Sequence, residues 1–436
     1  MFEPKNKIII VDDDQGHLDA LSKPFNLNGI GCKCFKYDVN FTTPLKNVRV
    51  AFFDINLNPS GGGSDSQRFN VIATAIKQYI DVENGPFALI FWTSNKHQID
   101  SIKTYIHDRH LDCPKPFLVD FIDKHEFLDK PQQLYQKLEA ILGDKTLNIL
   151  FDFENISSQA AAQTINQIYK IIPNQDTWGE TANFKINFEK VFSKIAIQNL
   201  GYTYAKDNPD KGVVSSLLPL INHHIENSTN SGKWKDYLTT LTGSTSYGQV
   251  VYPVNFSESK LNSIFHIEKT NGDKEIRGTV IELDKTNTTL LQSLNISSID
   301  DWFNKLIPFN NDKATIKRQI RGDSKLIAVE ISAACDFTNN KKRINKYAVG
   351  FMTPTINVKD DINREILLES CYHVGNANFS LGDNEFQVWL NLNFVIGTKP
   401  DDLRLGTPVF TFKKEIMDMI GNRYASYISR IGITSF

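Results

Sequence analysis

Along the first 145 residues, apolar positions alternate between short continuous runs and helical spacing. "KIIIV", "IGCKCF", "VRVAFF", "FALIFW" and "FLVDFI" read as buried strands, the third ending at Asp54. Between them, Leu18, Leu21 and Phe25 mark a helix that Pro24 ends or kinks. Thr43-Pro44 reads as a cap followed by a first-turn proline and predicts a short helix. Phe69, Ile72, Ile76 and Ile80 share one helical face, as do Ile99, Ile102 and Ile106. A last helix opens at Pro131, closes at Gly143 and turns Leu134, Leu138 and Ile141 inward. Five such βα units predict a parallel α/β sheet, doubly wound, with helices on both faces.

Residues 146–250 carry helical spacing, with helices expected over Ile156 to Ile172, Phe184 to Leu200 and Val213 to Ile225. The polar stretch "ENSTNSGKWKDYLTTLTGSTSYG" reads as a long loop or hinge. From residue 251 to 436 the pattern changes to strand: Phe386, Val388, Leu390, Leu392 and Phe394 alternate with Gln387, Asn391 and Asn393. The predicted organisation is therefore an α/β domain over 1–145, a helical segment over 146–250 and a β-rich α+β domain over 251–436. The last domain ends in an amphipathic helix, "KEIMDMIGNRYASYI".

A chain of 436 residues is too long for one ordinary core, which agrees with that division. A net charge of -2 gives no global drive towards nucleic acid or anionic membrane. No apolar run approaches the ~18 residues of a membrane span, and "MFEPKNKIII" lacks the apolar core of a signal peptide, so a cytoplasmic location is expected. Five scattered cysteines make no disulfide framework. Cys32 and Cys34 are expected to be small buried groups.

Chemistry concentrates where ligand sites of parallel sheets lie, at the strand carboxyl ends. The first strand ends in Asp12-Asp13-Asp14, the third in Asp54 with Asn56 beyond it, the fourth in Thr93-Ser94, the fifth in Asp123-Lys124. Two carboxylates ~4 Å apart repel by about 4 kcal/mol at an effective dielectric of 20. A cluster of three requires a counter-ion. Mg²⁺ suits it, taking one or two carboxylates together with water and phosphate oxygens. A carboxylate nucleophile, a metal, a hydroxyl and an ammonium can together stabilise a phosphoryl group in transfer.

These residues resemble the response-regulator receiver (CheY-like) domain, over residues 1–145. The resemblance implies that Asp12 and Asp13 are the metal-binding acidic pair and Asp54 the phosphoacceptor, which also touches the metal. It places Asn56 where a backbone carbonyl meets the metal, Thr93 at the switch hydroxyl, Lys124 at the conserved lysine and Phe121 at the rotamer-switching aromatic. The partner it implies is a histidine kinase or phosphotransfer protein, since no ATP site is visible. A downstream effector is a further expected partner, with neither membrane nor nucleic acid involved. The chain would be a phosphoacceptor with self-phosphorylation and autodephosphorylation chemistry at most, rather than an enzyme, serving signalling or a phosphate sink. The spacings depart from the family. Asp54 to Thr93 is 39 positions and Thr93 to Lys124 is 31, both long, and His125 rather than proline follows the lysine. The first excess lies around "NPSGGGSDSQ". The general layout and the tail "RIGITSF" resemble receivers of bacterial anti-phage two-component (Detocs-like) defence systems.

Two other classes compete. Asp12 and Asp14 after a strand resemble the nucleophile and general acid/base of haloacid-dehalogenase phosphatases. That reading lacks a later acidic pair and leaves Asp54 without a role. "NNKKRINK" and the terminal helix supply local base for a nucleic-acid-binding effector, without a recognisable binding motif. His223-His224 reads as surface. Cys335, Cys371 and His373 lack the paired spacing of a zinc site.

Overall fold

The computed structural model of the chain describes residues 7–57, 64–173, 182–229, 231–332 and 344–429. They fall into two compact units, Met1–Gln163 with His223–Tyr247 and Thr164–Asn222 with Gly248–Phe436.

The first unit opens with β1 (Ile8–Asp12), α1 (Gln15–Leu27), β2 (Lys33–Lys36) and β3 (Val50–Phe53). It continues through α2 (Asp65–Tyr79), β4 (Ala88–Trp92), α3 (Ile99–Arg109), β5 (Leu118–Ile122), α4 (Lys124–Phe127) and α5 (Pro131–Leu142). The strands form a parallel sheet in the order β2-β1-β3-β4-β5. Strand alternation explains the continuous apolar runs. Ile9, Val11, Phe53 and Phe91 pack with α2 and α3 on one face, while Ile8, Ile10, Phe52 and Trp92 pack with α1 and α5 on the other. With both faces covered, every residue of β1, β3 and β4 is buried.

Two local expectations fail here. Among the described residues no helix forms at Thr43-Pro44. Instead Leu45 pairs with Ile80, its N–H donating to the Tyr79 carbonyl at 3.0 Å and its carbonyl accepting from Asp81 at 3.1 Å. Phe41 stacks on Tyr79 with ring centroids 4.4 Å apart, so tertiary packing overrides the cap signal. Nor are both cysteines buried. Cys32 is half-buried and Cys34 exposed, because β2 is an edge strand.

Six helices follow: α6 (Lys145–Ile171), α7 (Ala182–Leu200), α8 (Tyr202–Asp207), α9 (Pro209–Ser228), α10 (Ser231–Tyr237) and α11 (Thr239–Thr242). Glu154 of α6 ties this helix to the sheet of its own unit, meeting Lys7 at 2.7 Å and Arg49 at 2.8 Å. The stretch expected to be a loop contains α10 and α11. Its Tyr237 hydroxyl donates to Asp152 of α6 at 2.7 Å, a long-range partner that orders a polar segment.

In the second unit Ile168, Ile172 and Leu217 form a small helical core. The chain proceeds through α12 (Glu258–His266), β6 (Ile267–Glu268), β7 (Thr279–Glu282), α13 (Thr288–Ser293), α14 (Ile299–Leu306), α15 (Ala314–Asp323) and β8 (Lys325–Glu330). It ends with β9 (Asn345–Pro354), β10 (Cys371–His373), β11 (Phe379–Leu381), β12 (Asn384–Thr398), β13 (Thr407–Phe412) and α16 (Lys414–Ile428). The sheet is antiparallel, ordered β10-β12-β9-β8-β7-β13-β6, with β11 also on β12. Trp389, Tyr347 and Phe351 fill one face with Trp302 and Phe303 of α14. Val388, Leu390 and Phe410 fill the other with Ile416 and Ile420 of α16. A Cβ at Gly350 would lie 1.9 Å from the Trp389 carbonyl oxygen, so β9 and β12 can approach this closely only at glycine.

The architecture is thus an α/β doubly wound unit followed by helices and a β-rich α+β unit. Among the described residues no helix is long and apolar enough to cross a membrane.

Candidate functional site

The parallel register brings the ends of β1, β3, β4 and β5 to one edge, where Val11 pairs with Phe53, Phe53 with Phe91 and Trp92 with Ile122. The residue after each strand's buried run therefore arrives at the same level. Asp12, Asp13 and Asp54 present carboxylate oxygens within 4.8 Å of one another. Asp12 is fully buried and Asp54 only 5% exposed.

Among the described residues the ammonium of Lys124 answers this charge. Lys124, at the start of α4 and 5% exposed, reaches back across the sheet edge. Its ammonium lies 2.8 Å from Asp12 Oδ2 and 2.9 Å from Asp54 Oδ2. A third neighbour, His17 Nδ1, lies at 3.1 Å. An ammonium only donates, so Nδ1 accepts and the ring proton is assigned to Nε2. All three Lys124 donors are then used.

The second oxygen of Asp54, Oδ1, is buried with no hydrogen-bond partner. Burial pushes the Asp54 carboxyl above its ordinary value. Lys124 pulls it down, Asp12 pushes it further up, and a backbone hydrogen bond from Asn56 lowers it. Asp13, on the solvent side, is also raised, first by burial and then by the charges of Asp12 and Asp54. An unpartnered buried oxygen beside two crowded carboxylates matches hard-cation chemistry, so the cluster could hold a metal ion.

The other residues singled out in the sequence are placed as follows. Thr93 is fully buried just beyond β4. Its hydroxyl accepts from the Asn95 N–H at 3.0 Å, and its carbonyl accepts from the Lys124 N–H at 3.4 Å. Asn56 is exposed two positions beyond Asp54. Phe121 lies on β5 opposite Phe91, packed against the α2–α3 core. Asp14 caps α1, accepting from the His17 N–H at 3.0 Å, which holds its exposed carboxyl below its ordinary value. Cys371 and His373 lie together on β10, but no three-residue ligand group forms around them among the described residues. Cys335, most of "NNKKRINK" and the tail "RIGITSF" lie outside the described residues.

His17 was not among the sequence candidates. Its signal was position: a first-turn residue of the helix after β1 points back towards the strand's end.

No protein-family model matches the chain, and no curated protein matches it. The parallel five-stranded sheet and its acidic cluster are compatible with a receiver fold.

Proposed function

We propose that the first unit is a phosphoacceptor receiver in which Asp54 takes a phosphoryl group from a phosphohistidine of a partner kinase or phosphotransfer protein. One observation carries this reading. Asp54 offers one oxygen to Lys124 and keeps the other buried and free beside Asp12 and Asp13. In the step, Oδ1 attacks phosphorus, the P–N bond to the donor imidazole breaks, and its electron pair leaves with the imidazole. Lys124 already sits against Asp54, where it can neutralise charge on the oxygens of the transferred group. The Thr93 hydroxyl, at the same sheet edge, can supply a hydrogen bond.

Mg²⁺, held by Asp12, Asp13, Asp54 and the Asn56 carbonyl, would supply positive charge to the phosphoryl oxygens. His17 positions Lys124. The role fits signalling or a phosphate sink, including one in anti-phage defence. The test is to incubate the protein with Mg²⁺ and a small acyl phosphate, then compare Asp54→Asn and Asp12→Asn. Label lost in Asp54→Asn, with that in Asp12→Asn weakened in proportion to its loss of Mg²⁺ and no turnover of p-nitrophenyl phosphate, supports the reading. Label that survives in Asp54→Asn but vanishes in Asp12→Asn points to a phosphatase using Asp12.

A further inference from the structure

The second unit carries a polar cleft of about 1450 Å³ at the β10 edge of its sheet, walled by the segments on either side of β10, by β12, by α16 and by Glu258 and Asn262 of α12. Its floor is rigid. Trp389 is fully buried and donates from Nε1 to Gln387 Oε1 at 3.2 Å. Gln387 Nε2 donates to the Ile356 carbonyl at 2.9 Å and to Asn378 Oδ1 at 2.7 Å, so both amide protons are engaged. His373 lies flat on Trp389, centroids 4.4 Å apart and planes 8° from parallel.

His373 is the unsatisfied group of this floor. It is 9% exposed, and its Nε2 is buried without a hydrogen-bond partner. Burial pushes its pKa down to about 4, opposed by a hydrogen bond to the Ala377 backbone. At neutral pH the ring is therefore uncharged. With the Ala377 bond on the other nitrogen, Nε2 presents a lone pair and needs a donor. A buried acceptor left unmet costs about 1–3 kcal/mol, which a ligand's N–H or O–H would recover.

The lining is basic on balance, with three cations against Glu258 and Asp361. Lys359, Arg364 and Arg423 line the cleft, and no ion pair engages any of them among the described residues. Of the two acids on the same walls, Asp361 already meets Lys313 at 3.5 Å. Exposed cations are commonly solvated. Three of them around a fixed floor with one open acceptor make the complement of an anion that also carries a donor.

We propose that this cleft binds a small phosphate monoester of a sugar or nucleoside, its phosphate held by Lys359, Arg364 and Arg423 and a hydroxyl or amino group donating to His373 Nε2. The site is independent of Asp54 and its phosphoryl chemistry.

The experiment is calorimetric titration of the full-length protein with AMP, ribose 5-phosphate, adenosine and inorganic phosphate. A chelator is present throughout, so that the acidic cluster takes no metal. AMP or ribose 5-phosphate should bind, the pair distinguishing a nucleoside from a sugar ligand. Arg364→Ala and Arg423→Ala, both at exposed positions, should each weaken that binding about tenfold without lowering Tm. The ¹⁵N resonance of His373 Nε2 in the wild-type protein should shift on binding. The proposal is overturned if neither monoester binds, or if binding is indifferent to both arginines. Inorganic phosphate binding as tightly as the monoesters, or a stationary His373 signal, also overturns it.

Discussion

Replacing Asp13 by Asn removes one of three crowded carboxylates while keeping its shape. In the structure its ligand oxygen lies within 4.8 Å of those of Asp12 and Asp54. At that separation and an effective dielectric of 20, each pair repels by about 3.5 kcal/mol; bulk water reduces this to about 1 kcal/mol. Asp13 is only partly buried, so the lower figure governs, and Lys124 offsets part of it. The net relief is about 1 kcal/mol, and unfolding of the metal-free first unit should rise by about 2–4 °C. Mg²⁺ at a hundredfold its Kd stabilises the wild-type protein by about 2.7 kcal/mol. The variant should lose most of that gain, because a crowded ligand is also a needed one. Differential scanning calorimetry in chelator and in millimolar Mg²⁺ reads both effects. A variant no more stable than wild type in chelator, or one that keeps the full Mg²⁺ shift, would refute the reasoning.

Other consequences are separable. His17→Ala removes the third acceptor of Lys124 and should lower stability of the metal-free first unit by about 1 kcal/mol in thermal melts. An unchanged melt would mean that two carboxylates suffice to hold the ammonium. Glu154→Gln leaves Arg49, 12% exposed, without its charge partner. It should cost about 2 kcal/mol and speed amide exchange in the first half of α6. His373 sets a pH dependence on the second unit. Its folded pKa of about 4 lies below the ordinary 6.5, so the unfolded chain binds the proton first. Stability should be full above pH 6.5 and fall as pH drops towards 4, by about 3 kcal/mol. Glu258, Asp361, Lys359, Arg364 and Arg423 line the same cleft, so their charges face the ring. His373→Gln should flatten the slope between pH 6.5 and 5, and an unaltered slope would place its origin elsewhere.

The first sheet was legible because parallel strands buried on both faces leave uninterrupted apolar runs, and because each run stops at a polar residue. That stop placed Asp12, Asp54, Thr93 and Lys124 at one edge before any geometry was known. Thr43-Pro44 misled because a cap is a local signal worth about 1 kcal/mol, while the bridge to Ile80 and the stack on Tyr79 depend on residues far along the chain. The order of α10 and α11 likewise rests on Asp152, more than eighty residues away. His17 was hidden behind Leu18, Leu21 and Phe25, which defined the helix and left it as an exposed first-turn residue. In the β-rich unit alternation revealed the long strand β12 but neither the short strands β6, β10 and β11 nor the cleft. His373 faces Trp389 only because β10 pairs with β12, a non-local register that sequence spacing does not encode.

The central claim is that the buried, unpartnered oxygen of Asp54 is a phosphoryl acceptor. The most direct measurement is reductive trapping with borohydride after exposure to Mg²⁺ and an acyl phosphate, followed by peptide mass spectrometry. An acyl phosphate on aspartate is converted to homoserine and marks its own position. The account predicts homoserine at position 54 alone, absent when Mg²⁺ is omitted. Homoserine at position 12 or 13, or none anywhere while the protein remains folded, would contradict it.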